Sequence, residues 1–214
     1  MTEADWLAGK VNIFSQYDSL RRRKVTSRKF RLFGCACCRR VWNWIGDQRS
    51  RDAVEVAERF ADGEANRKTL AAARAICPGR GQGRGEWAAK AAVSLTSVPT
   101  KDAVLSVVFC TLHVTRADGL ASSEERQQIA LLQDIIGNPF RRPVIDSTWL
   151  SWNGGTVVKL AQSIYDERSF AELPILADAL LDAGCVDQSI LSHCRSEAAH
   201  VRGCWVVDAL LGKN

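Results

Sequence analysis

The 214-residue chain has no apolar run approaching the ~20 residues that a membrane-spanning helix requires, and Met1 to Lys10 lacks the apolar core of a secretory signal. Proline is scarce. There are five, none before Pro78, so the first third is free of the strongest helix breaker. Alternating apolar runs of the kind a half-buried strand needs are missing, and no segment repeats. Several motifs that carry chemistry are missing too. No Gly-Lys-Ser/Thr follows the glycine-rich stretch, no His-Glu-x-x-His occurs, and no Cys-x-x-Cys pair recurs. These absences point away from a membrane protein, a sheet protein and a nucleotide-cradling loop. They predict an all-α protein of the cytoplasm, with no membrane partner.

What is present fits that class. Apolar residues make up 46% of the chain and charged residues 25%, ordinary globular values. A chain of this length buries roughly 70% of its unfolded surface and needs no staple to fold. The net charge of +5 is unevenly spread: residues 1–50 hold 11 Lys/Arg against 4 Asp/Glu, whereas residues 151–214 hold 5 against 8. The basic excess is densest from Arg21 to Arg40. It can pair with the acidic C-terminal third or meet an acidic partner, nucleic acid or protein.

Helix signals recur along the chain. Thr2 with Asp5 reads as a capping box, Thr26 or Ser27 caps a long helix to about Ile45, and Asp47 or Ser50 begins the next, stopped by Gly63. Further helices are expected at Val11–Leu20, Ala65–Ile76, Glu86–Leu95, Lys101–Arg116 and Ser123–Ile136. Thr156 is expected to cap Val157–Asp166, and Ser169 with Glu172 to box a helix to Ala183, closed by Gly184. Asp187 is expected to cap a short helix to Cys194, and a last helix to span Ala198–Leu211. Two irregular stretches, about 77–85 and about 137–147, read as connectors, the first flexible and rich in Gly and Arg.

Eight cysteines without a secretory signal read as reduced thiols or metal ligands. At ~100° per residue, Phe30, Phe33, Cys37, Val41 and Trp44 form a core stripe, with Arg31, Cys35 and Cys38 on the other side. Cys35 and Cys38 stand three apart, so both sulfurs can reach one metal ion. Alternatively, the neighbouring arginines can lower their thiol pKa. On the expected last helix His200 and Cys204 stand four apart on one face, with His193 and Cys194 just upstream. Packed thiols and hydrogen-bonded structural histidines are the competing account, and a cysteine nucleophile paired with His193 or His200 is a third. Trp205 is expected in the core.

Arg21, Arg22, Arg23, Lys24 and Arg28 form the one basic patch dense enough for phosphate contacts, with Trp42 or Trp44 available for stacking. No recognition-helix motif accompanies it.

The strings Met1–Leu7, Arg28–Trp42 and His200–Asp208 resemble an uncharacterised bacterial family with no established activity, whose second motif reads approximately RKLRLFACACCRRIW. The match continues through Ala53–Gly63, Gly137–Arg141 and Thr156–Ala161. The resemblance implies a bacterial, cytoplasmic protein folding as one unit and imports no mechanism. Because the positions of Cys35 and Cys194 are not always cysteine in that family, it favours Cys38, His193, His200 and Cys204 as metal ligands.

The expected whole is a single helical domain over 1–214, with N- and C-terminal helices packed together. The leading function is a non-enzymatic interaction or regulatory module with a basic surface, in which a structural metal, zinc being the candidate, adds stability. The alternative is an enzyme with a Cys/His or metal-centred site where the early cysteine-rich helix meets the last one.

Overall fold

Capping chemistry sets where most helices begin. The computed structural model describes residues 1–79, 82–98, 100–116, 118–141 and 143–213. In it Thr2 and Asp5 form the expected capping box, each side chain accepting from the other's amide, and open α1 (Glu3–Leu7). Side chains of Asn12, Thr26, Asp47 and Asn66 accept first-turn amides of α2 (Ile13–Arg21), α3 (Ser27–Arg40), α4 (Gln48–Ala61) and α5 (Arg67–Ile76). Then come α6 (Arg84–Leu95), α7 (Thr100–Arg116), α8 (Ala121–Ile136), α9 (Ser147–Ser151), α10 (Thr156–Glu167), α11 (Leu173–Asp182), α12 (Gln188–Cys194) and α13 (Trp205–Leu210). Among the described residues there are three short 3-10 turns besides and no strand, so the fold is all-α. Arg80 and Gly81 of the first expected connector, and Arg142 of the second, lie outside the described residues.

The chain gathers into two compact units, Met1–Leu132 and Gln133–Asn214, with the division inside α8. In the first unit α3 packs on α4, α6 and α7, and every residue from Phe30 to Cys38 is buried. Gly34 permits the close approach: a Cβ there would stand 2.7 Å from Leu95 Cδ2 and 3.3 Å from Val104 Cγ2. Helical periodicity alone puts Arg31, Cys35 and Cys38 away from the core. They are enclosed instead, because α3 has helices against more than one face. Arg31 donates to the carbonyls of Leu95 and Ser97 and to Thr100 Oγ1. At the helix end, Arg39 forks onto Glu58 at 2.8 and 3.1 Å and Arg40 onto Glu124 at 2.9 Å, tying α3 to α4 and α8. The helix stops at Arg40 rather than Ile45, since Val41 leaves helical geometry and Trp42–Trp44 tighten into a 3-10 turn.

In the second unit Val157, Ala161, Ile164 and Tyr165 make the buried stripe of α10, at the three-and-four spacing of an amphipathic helix. Leu173, Leu176 and Leu180 of α11, Ile190 and Leu191 of α12, and Val206, Val207 and Leu210 of α13 complete the core. Four sequence expectations fail here. Thr156 is not a cap, because Gly155 precedes α10 in the left-handed region and Thr156 Oγ1 instead donates back to Asn153 O at 2.8 Å. Ser169 and Glu172 flank a 3-10 turn, and α11 starts at Leu173 with Pro174 in its first turn. The last helix is short: residues 198–204 are not helical, and Gly203 at φ +97° breaks the run. Trp205 is half-buried against the core rather than within it.

Candidate metal centre

The shortened last helix changes how His200 and Cys204 meet. They do not share a helical face. His200 lies in the irregular segment, and Cys204, whose amide donates to Val201 O at 2.9 Å, is the residue before α13. Asp187 caps α12 through Ser189 N at 2.8 Å, and the helix carries His193 in its last turn. A fourth residue comes from the last turn of α8. This is Asp134, three residues before Gly137, which ends the helix at φ +67°.

One ligand atom from each of Asp134, His193, His200 and Cys204 lies within 4.8 Å of the other three, so this group can hold a metal ion. His200 Nδ1 stands 2.6 Å and His193 Nε2 3.2 Å from Asp134 Oδ1, and His193 Nε2 is also 3.2 Å from Cys204 Sγ. The two imidazoles meet edge to face at 4.7 Å. Asp134 and Cys204 are buried, and the side chains of His200 and His193 are 5% and 17% exposed. Tetrahedral zinc, with bonds of about 2.0–2.3 Å, holds its donors about 3.3–3.6 Å apart. The observed separations, from 2.6 Å to at most 4.8 Å, bracket that range.

Outer contacts orient the group. Asp134 Oδ2 accepts from Val201 N at 3.0 Å, and His200 Nε2, the nitrogen facing away from Asp134, meets Ser196 Oγ at 3.0 Å. A ligating histidine held through its second nitrogen is a standard feature of metal sites. Trp205 packs 5.0 Å from the His193 ring and lies over Gly137, where a Cβ would come within 2.8 Å of the indole.

The electrostatics suit a cation. Burial pushes the Asp134 carboxyl up, but hydrogen bonds from His193 and His200 and their charge outweigh it and hold it below the usual carboxylate range. Burial, with the charge of Asp134 added, pushes the Cys204 thiol well up, and the amides of Val207 and Val206 oppose this only in part. A bound cation reverses that balance in favour of thiolate.

The structure brings three of the four expected ligands together and leaves out the fourth. Cys38 is buried on α3 in the first unit, and Asp134 completes the group instead. Nor are the α3 thiols activated by their arginines. Burial pushes Cys35 and Cys38 well above the ordinary thiol range, and the opposing charges of Arg31 and Arg39 are minor. Asp134 belongs to no sequence motif; its one signal is that a carboxylate in a helix's last turn opposes the helix dipole and so asks for a second partner.

The basic run is largely accounted for inside the first unit. Arg21 pairs with Asp102, Arg22 with Asp18 at 2.6 Å and Arg28 with Asp62 at 3.0 Å, while Lys24 is exposed. Arg23 has its own contacts. Of the two stacking candidates, Trp42 already carries Arg39 at 4.2 Å and Trp44 carries Arg84 at 4.6 Å. Among the described residues no helix is long and apolar enough to cross a membrane. Comparison with family models, curated proteins and solved structures gives no match.

Proposed function

We propose that the protein is a non-enzymatic helical interaction module whose second unit is fastened by one structural zinc ion held by Asp134, His193, His200 and Cys204. The observation that carries this is the convergence of one thiol, two imidazoles and one carboxylate from three separate chain segments. Mixed sulfur, nitrogen and oxygen donors, four in number, suit zinc better than magnesium or calcium, which take oxygen. The burial of Asp134 and Cys204 favours a closed site, and such an ion pins residues 195–204, which have little regular structure, to α12 and α8. The basic excess of the first unit supports an acidic partner, protein or nucleic acid, with exposed Lys24 as the available charge of the Arg21–Arg28 run. Chelation tests the metal: treatment with a strong chelator lowers the melting temperature, and zinc restores it. In Cys204→Ala and His200→Ala neither step has an effect. No metal-dependent change in melting refutes the reading.

A second reading has its own observation. Ser196 Oγ, His200 and Asp134 stand in the order hydroxyl, imidazole, carboxylate, with contacts of 3.0 and 2.6 Å through different ring nitrogens. Such a relay activates a serine toward acyl transfer. The Cys204 thiol is a poorer nucleophile, since it and Asp134 both face Nε2 of His193, which leaves no second nitrogen to relay the proton. Labelling of Ser196 by a fluorophosphonate probe, abolished in His200→Ala, would replace the structural-metal reading with this one.

A further inference from the structure

A concave, strongly basic region of the first unit is used by neither reading. It lies against α3, α5 and the start of α7. One cleft of about 450 Å³ has Arg21, Arg31, Arg67 and Lys101 in its wall, and a second of about 380 Å³ adds Arg74. Arg67 and Val98 belong to both, so the two adjoin. Each has the size of a small-molecule site, in the ~300–1,000 Å³ range.

The charge around them does not balance. Among the described residues, Arg21 alone of the five cations pairs with a carboxylate, Asp102, which is also the one acid lining either cleft. Arg31 is 2% exposed, yet its guanidinium meets only neutral acceptors, the Leu95 and Ser97 carbonyls and Thr100 Oγ1, and lies 4.9 Å over the Phe60 ring. Arg74 bonds to Ser97 Oγ and Val93 O, and Lys101 to Arg21 O at 3.4 Å. Gathering like charges around a concavity raises the local concentration of anions, and a low-dielectric wall strengthens the effect. Guanidinium groups match phosphate oxygens two at a time. Phe60, Leu70 and Val98 supply apolar wall beside the charges, which a bare inorganic ion would leave unused.

We infer that this double cleft binds an organic phosphate, its phosphates against Arg67, Arg74 and Lys101 and its organic part against Phe60 and Val98. The site shares no residue with the zinc group, so the two readings fail separately.

Calorimetry on the whole protein at low salt tests it, with ADP, inorganic pyrophosphate and a twelve-nucleotide single-stranded DNA as probes. ADP binds with measurable heat below 1 mM, more tightly than pyrophosphate, and a rise in salt weakens it. Arg67→Glu and Arg74→Gln each weaken ADP binding at least tenfold at unchanged melting temperature, since both side chains are exposed, while Arg22→Glu does not. The inference is overturned if ADP gives no binding at 1 mM, if Arg67→Glu leaves it unchanged, or if pyrophosphate binds as well as ADP. It is overturned too if the DNA binds more tightly than ADP and loses that binding in Arg22→Glu but not in Arg67→Glu.

Discussion

Cys35, Cys37 and Cys38 make the fold sensitive to alkali. All three are buried within α3, and burial pushes each thiol well above its ordinary range, with the charge of Glu58 adding at Cys35 and that of Glu124 at Cys37. In the unfolded chain a thiol ionises near pKa ~8.5. Above that pH the unfolded state releases protons that the folded state keeps, so stability is complete below it and falls as pH rises toward the folded values. Each thiol approaches about 1.4 kcal/mol per pH unit, which gives a loss of about 2 kcal/mol per thiol between pH 8 and pH 10. Three together lose about 6 kcal/mol, comparable with the ~5–15 kcal/mol total stability of a domain. Urea unfolding under reductant at pH 8, 9 and 10 measures the loss. Cys37→Ala is less stable at pH 8 because it leaves a small void, but its dependence on pH is shallower than wild type by about 1 kcal/mol per unit. Parallel pH dependences in the two proteins, or rapid alkylation of native Cys35, Cys37 and Cys38 at pH 8, would refute the reasoning.

Other expectations rest on single positions. Gly137→Ala places a Cβ 2.8 Å from the Trp205 indole at a left-handed φ, and should cost about 1–3 kcal/mol in urea unfolding and shift tryptophan emission. Gly203→Ala, at φ +97°, should cost about 1 kcal/mol or more and lower zinc retention, because a side chain at that φ would strain the turn that delivers Cys204. Ser196→Ala removes the outer partner of His200 and should weaken zinc binding about tenfold in a competition titration, with the metal-free protein no less stable. Tyr17→Phe leaves the Lys101 carbonyl without its 2.7 Å donor and should cost about 1–2 kcal/mol.

What could be read from the sequence was local. Thr2, Thr26, Asp47 and Asp187 cap helices where a short polar side chain precedes an apolar pattern, and that signal lies within four residues. Periodicity misplaces the face of α3 because a wheel assumes one solvent side, and α3, packed by α4, α6 and α7, hides Arg31, Cys35 and Cys38 as fully as Phe30. His200 and Cys204 come together through a turn, not through the helix their spacing predicts. Their four-residue spacing is short enough to meet in either conformation. Asp134 joins them from 66 residues before His200, a contact no local pattern encodes. Its only trace is the acid in a helix's last turn, where the dipole disfavours it.

The most direct measurement is metal content by elemental mass spectrometry on tag-free protein purified without chelator, beside Asp134→Ala. The account predicts close to one equivalent of zinc in the wild-type protein, lost in Asp134→Ala and retained in Cys38→Ala. Wild-type protein without metal that also fails to take up zinc would contradict it, as would zinc that Cys38→Ala removes and Asp134→Ala does not.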